Sequence, residues 1–171
     1  METEITNLDN LDLAAPVGDC STLDTAVMVP VIQAIPEDGV YLEVGVNRGK
    51  SLYIARQVAK KSVKVYGVDL RDDPKVKGTT FWQQDSKLGP PEDIKIDVLF
   101  IDGDHSYQGC MADIKAWEPH VKDGGVIFFH DADEGGPGVL RAITEYIDTT
   151  PRPVHKWSMY DTNTSIVSIQ L

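Results

Sequence analysis

Five short apolar runs, four of them with an aspartate at or beside the end, constrain the fold of this chain most. They are "VYLEVG" (40–45), "VKVYGVDL" (63–70), "TTFWQQD" (79–85), "IDVLFID" (96–102) and "VIFFHD" (126–131). Runs of this length, rich in β-branched and aromatic residues, are buried strands. Helical segments are expected between them at "SLYIARQVAKK" (51–61) and "SYQGCMADIKAWEPHV" (106–121), the second disturbed by Pro119. Strands alternating with helices require right-handed crossovers and a mostly parallel sheet.

The flanks complete the plan. Ser21 or Thr22 caps a predicted helix carrying Leu23, Val27, Val31 and Ile35, and Pro36-Glu37-Asp38-Gly39 turns the chain. Gly124-Gly125 is expected to turn into the fifth strand. A helix over 138–148 follows a glycine-rich loop. "VHKWSMY" and "SIVSIQL" then pair as a hairpin around Asp161-Thr162-Asn163. The expected fold is α/β: a Rossmann-like, doubly wound, mostly parallel seven-stranded sheet with a C-terminal antiparallel hairpin that leaves one antiparallel edge strand. The 171 residues suit one domain over 21–171, preceded by a flexible acidic arm over 1–20.

In such sheets ligands bind beyond the carboxyl ends of the strands. Glu43, Gly45, Asp69, Asp85, Asp102, His130 and Asp131 all sit at those ends and are expected to share one crevice. The formal net charge of −11 argues against nucleic acid and anionic membranes as partners and favours a small molecule. No basic start with an apolar run and no span-length apolar stretch is present. Cys20 and Cys110 form neither a metal spacing nor a disulfide framework, so a reduced, cytoplasmic protein is expected.

"GVNRGKS" (45–51) suggests a phosphate-binding loop, with "VLFID" as its magnesium-binding strand. That loop needs four residues between the first glycine and Gly-Lys-Ser, and here Val46, Asn47 and Arg48 make three. A phosphoryl-transfer enzyme is therefore the weaker reading, and Lys50 is expected to be an exposed helix-start residue. The dinucleotide fingerprint also fails, because Asn47 stands where its second glycine belongs.

The order Glu43-x-Gly45-x-x-x-Gly49, with Asp69 at the next strand end, resembles the first motif of class I S-adenosylmethionine-dependent methyltransferases. This resemblance implies that Glu43, Gly45, Asn47, Gly49, Ser51, Asp69, Leu70, Asp85, Ser86 and Asp102 form the cofactor site. Its glycines would let the backbone approach the ligand. The helix start at Gly49–Ser51 would receive the methionyl carboxylate. Asp69 would accept the ribose hydroxyls, and Asp85 and Ser86 would lie at the adenine.

Residues 98–132 are similar to the branch containing catechol, caffeoyl-coenzyme A and macrolide-sugar O-methyltransferases, above all methyltransferase family 24; the likeness covers roughly 25–171. Carried over by position, it implies a divalent metal, magnesium or manganese, on Asp102, His130 and Asp131. His130 departs from the acids usual there and makes iron or zinc more plausible. The resemblance places a catalytic base at His105, with Asp104 as the alternative base or its orienting partner. Asp133 and Glu134 add local acid, and Trp157 is a candidate pocket wall. The implied activity is methyl transfer from S-adenosylmethionine to a hydroxyl of a sugar or catechol-like diol, in a chain that is a candidate homo-oligomer. A non-catalytic cofactor-binding module is the rival reading.

Overall fold

The structure is a computed structural model, and it describes residues 21–132, 137–159 and 165–171. The expected arm over 1–20, Asp133, Glu134, the Asp161-Thr162-Asn163 turn and the Trp157 side chain lie outside the described residues.

Helix α1 (Thr22–Ala34) opens on a capping box. The Ser21 hydroxyl accepts the Asp24 amide at 3.1 Å, and Asp24 Oδ2 accepts the Ser21 amide at 3.0 Å. Next come β1 (Val40–Val44), α2 (Lys50–Val58), β2 (Lys64–Asp69), β3 (Thr80–Gln83) and β4 (Ile96–Ile101). The second half holds α3 (Tyr107–Trp117), β5 (Val121–Phe129), α4 (Pro137–Thr149), β6 (Lys156–Met159) and β7 (Val167–Gln170).

The seven strands lie in the order β3-β2-β1-β4-β5-β7-β6. β1 to β5 are parallel, and β7 runs antiparallel to both β5 and β6. The antiparallel strand is therefore not the edge strand that the sequence suggests: β7 sits inside the sheet and β6 forms the edge. The Gly124-Gly125 turn also differs. Both glycines lie within β5, which starts at Val121, and Gly124 adopts φ 81 where the pairing with β4 shifts register. An irregularity absorbs them without ending the strand.

Alternate residues of the central strands feed opposite faces. Leu42, Val44, Leu99 and Ile101 pack with Cys110, Ile114 and Trp117 of α3 and Val139, Ala142 and Ile143 of α4. Tyr41, Val65, Val98, Phe100 and Phe128 pack with Met28 and Ile32 of α1 and Leu52 and Ala55 of α2. Met28 and Ile32 of α1 and Ile35 just after it form the buried stripe, with Val27 and Val31 half-buried beside it. Trp82 stacks on Trp117 at 6.3 Å and lies 4.9 Å from Tyr66, so both tryptophans serve packing. Among the described residues no helix is long and apolar enough to cross a membrane.

Candidate active site

One register line organises the site. Val68, Val44, Ile101 and Phe129 are paired across β2, β1, β4 and β5. The next residue of each strand is Asp69, Gly45, Asp102 and His130 respectively. The ladder continues one step further: Gly45 N–H donates to Val68 O, Asp102 N–H to Val44 O, and His130 N–H to Ile101 O. With neighbouring strands about 4.8 Å apart, the row spans about 14 Å.

A cavity of about 520 Å³ opens over this row. Its walls include Gly45, Asn47, Ser51, Asp69, Leu70, Asp85, Ser86, Asp102, Asp104, His105, His130 and Asp131. The structure thus brings most of the expected residues into one hollow. Glu43 and Gly49 stand behind its wall. Lys50 lines the cavity and is half-buried, not exposed as the sequence suggests.

Gly45 is forced by its neighbours. Its φ is 85, and a Cβ there would lie 2.1 Å from the carbonyl oxygen of Asp102. Gly49, at φ 83, starts α2 and packs against Pro74, where a Cβ would come within 2.9 Å. Glu43 is fully buried, and Ser51 Oγ and Tyr41 Oη donate to its carboxylate at 2.6 and 3.0 Å. Burial pushes its carboxyl up to about 8, against these bonds. Glu43 holds Ser51 at the helix start and does not itself reach the cavity.

At the β2 end, Asp69 Oδ2 accepts the Asn47 amide at 2.7 Å and Oδ1 accepts the Arg71 amide at 2.9 Å. The Arg71 guanidinium also bonds the Asn47 side chain, which joins the two loops over the cavity. Ser86 Oγ donates to the buried Asp113 at 2.5 Å, and Asp85 caps the short turn at Ser86–Leu88.

The other end carries the reactive groups. His105 Nε2 lies 3.4 Å from Asp102 Oδ1 and 3.2 Å from Asp131 Oδ2. His130 Nδ1 faces the same two oxygens at 3.3 and 3.0 Å. Hydrogen bonding to Asp102 raises the pKa of His105, only partly opposed by burial. Burial pushes the Asp102 carboxyl up, but bonds to His105 and His130 outweigh it and hold the group below its ordinary value. Asp131 adopts φ 51, left-handed for a non-glycine residue, and Asn47 does so at φ 50. Both residues line the cavity.

Asp104 is engaged elsewhere. Its Oδ1 accepts the Ser106 amide at 2.9 Å, and its carboxyl group packs where a Gly109 side chain would stand. Ser106 in turn caps α3, so Asp104 stiffens the loop that carries His105. Asp102, His105 and Asp131 offer one ligand atom each, all within 4.8 Å of one another. Two carboxylates and an imidazole suit a divalent cation such as manganese, iron or zinc. In this set His105 takes the place expected of His130, while His130 Nδ1 faces the same two oxygens, so His105 carries two candidate roles. Sequence reasoning missed Asp24 of α1: its Oδ2 lies 3.4 Å from His130 Nε2. Its distance along the chain left no pattern to find.

The profile of methyltransferase family 24, a methyltransferase domain, matches residues 42–132. An uncharacterized protein of Acanthamoeba polyphaga mimivirus is 28% identical over 134 residues, which cover 65% of this chain and 60% of that relative. The chain spans less than two thirds of the curated relatives it matches. Among solved structures, the MycE methyltransferase of the mycinamycin biosynthetic pathway, in complex with Mg, S-adenosylhomocysteine and mycinamycin VI, superimposes with a TM-score of 0.66 at 18% identity, covering 90% of this chain and 50% of that one. A putative rRNA-methylase from Clostridium thermocellum gives 0.65 at 11% identity, covering 90% and 98%. These structural likenesses speak for the fold.

Proposed function

The chain belongs to methyltransferase family 24 and is a class I S-adenosylmethionine-dependent methyltransferase; from that premise we propose that it methylates a hydroxyl of a small molecule, a sugar or catechol-like diol. The observation that carries this reading is the pairing of His105 Nε2 with Asp102 and Asp131 at the β4/β5 end of the cofactor cavity. An imidazole held by two carboxylates is a proton acceptor, which a hydroxyl acceptor needs. The net charge of −11 opposes an RNA acceptor such as the one in the Clostridium relative's name, and the mycinamycin VI bound to MycE favours a small one.

In this reading the amino-acid head of S-adenosylmethionine meets the α2 start and Ser51. Its ribose meets Asp69, with Asn47 and Leu70 alongside, and its adenine lies by Asp85 and Ser86. Gly45 lets the chain pass close beneath the ligand. The sulfonium methyl then lies toward Asp102. His105 takes the acceptor's hydroxyl proton; the oxygen attacks the methyl carbon in line. The O–C bond forms as the S–C bond breaks, and its electron pair stays on sulfur. The products are a methyl ether and S-adenosylhomocysteine. Asp102 and Asp131 stabilise the protonated imidazole. The chain mainly supplies alignment, since the sulfonium is already activated. A divalent cation on Asp102, Asp131 and an imidazole would lower the acceptor hydroxyl's pKa.

The test is methyl transfer from labelled S-adenosylmethionine to a panel of sugar diols and catechols, with and without chelator, in wild type and Asp131→Ala. The reading expects a methyl ether that disappears on chelation, returns with added manganese or magnesium, and is absent from the variant. Undiminished turnover in chelator would remove the metal. Methylation of RNA with none of the diols would remove the small-molecule acceptor.

A further inference from the structure

The His130 imidazole is clamped between acids on both sides. Nδ1 lies 3.0 Å from Asp131 Oδ2 and 3.3 Å from Asp102 Oδ1, while Nε2 lies 3.4 Å from Asp24 Oδ2 and 3.4 Å from Ser165 Oγ. The ring is 6% exposed and Asp24 is 3% exposed, so water does not substitute for these partners. Phe100 packs edge-on against the ring at 6.0 Å, which fixes its plane. Asp24 is itself built in. Ser21 N–H and Oγ donate to its Oδ2, the oxygen facing Nε2, and Ser165 N–H donates to its Oδ1 at 3.2 Å. These bonds tie α1 to the segment entering β7, directly behind the site.

A neutral imidazole carries one proton and one lone pair. If the proton sits on Nε2, Asp24 accepts it and the lone pair on Nδ1 points at the Asp102 and Asp131 oxygens. Two carboxylates and a nitrogen lone pair then converge, an arrangement that a divalent cation between them would stabilise. A carboxylate behind the ligating histidine is the usual device for fixing its tautomer and raising its basicity.

We propose that Asp24 is a positioning residue: it holds His130 in the Nε2–H tautomer, so that Nδ1 joins Asp102 and Asp131 as the nitrogen ligand of a divalent metal. The inference rests on the metal-assisted reading above, with His130 among the ligands, and adds the tautomer of that ring and the residue that fixes it. A nitrogen at this corner shifts the site away from pure oxygen coordination, toward manganese or zinc over magnesium. It also leaves His105, on the exposed side, to serve as the base.

The full-length protein with isotope-labelled imidazole nitrogens is examined by NMR with and without Zn(II), and Mn(II) binding is titrated in wild type, Asp24→Asn and His130→Gln. The expected spectrum has His130 Nδ1 shifted by zinc and Nε2 still protonated. Mn(II) affinity is expected to fall by about 10–100-fold in Asp24→Asn and by at least as much in His130→Gln. S-adenosylmethionine affinity of Asp24→Asn stays at the wild-type value, because Asp24 does not line the cavity. A protonated Nδ1 in the zinc-loaded protein overturns the proposal, as does Mn(II) affinity in folded Asp24→Asn within about twofold of wild type. If Asp24→Asn does not fold, the wild-type spectrum alone decides. Failure of the wild type to bind S-adenosylmethionine would instead sink the functional reading itself.

Discussion

His105 Nε2 stands 3.2 Å from Asp131 Oδ2, across the gap between the loop after β4 and the end of β5. Asp102 approaches the same nitrogen, and these bonds and charges lift the imidazole above its ordinary value of 6.5. In metal-free protein, an NMR titration should therefore give His105 a midpoint above 6.5, and Asp131→Asn should lower it. A wild-type midpoint below the ordinary value would contradict this arrangement. His105→Asn should reduce kcat by about 100-fold or more while leaving cofactor affinity intact, as expected for loss of a general base.

Glu43 predicts a loss of stability that grows with pH. Its carboxyl moves from 4.5 to about 8 on folding, so the folded state binds more protons than the unfolded state in that window. Stability should fall as pH climbs from about 4.5 to about 8, then level off. Glu43→Gln keeps the shape and cannot ionise. It should flatten this segment in thermal melts, and its Tm should gain on wild type more at alkaline pH than at acid pH. Parallel curves for the two proteins would show that Glu43 ionises freely in the fold.

Gly45→Ala tests the turn beneath the cofactor. The substitution combines a left-handed backbone with a contact of 2.1 Å to the Asp102 carbonyl. It should destabilise the protein by more than ~1 kcal/mol in denaturant unfolding and displace Asp102. Gly124→Ala shares the positive φ but has open space around its Cβ, so it should cost less. Equal costs at the two positions would mean that backbone conformation alone, not close approach, explains Gly45.

The sheet and its ligand end were legible because each strand is a local pattern and most end at or beside an aspartate. Asp69, Asp102, His130 and Asp131 needed only strand ends to be placed. Gly124-Gly125 misled because glycines inside a strand look like a turn until the partner strand's register absorbs them. The interior position of β7, between β5 and β6, was not readable, since strand order at a sheet's end depends on pairings between distant segments. The same reason hid Asp24, which meets His130 from 106 residues away. Glu43 was placed at the ligand from its motif, but its side chain points into the α1/α2 side of the sheet, where it supports Ser51 instead.

Calorimetric titration of S-adenosylmethionine into the full chain, with ATP as the rival ligand, tests the central claim most directly. The cavity over Asp69, Gly45 and Asp102 predicts one cofactor per chain, unaffected by ATP. Asp69→Asn should weaken binding by about 10–100-fold through loss of charge-assisted hydrogen bonds. Binding of ATP in place of S-adenosylmethionine, or no binding of either, would contradict the account.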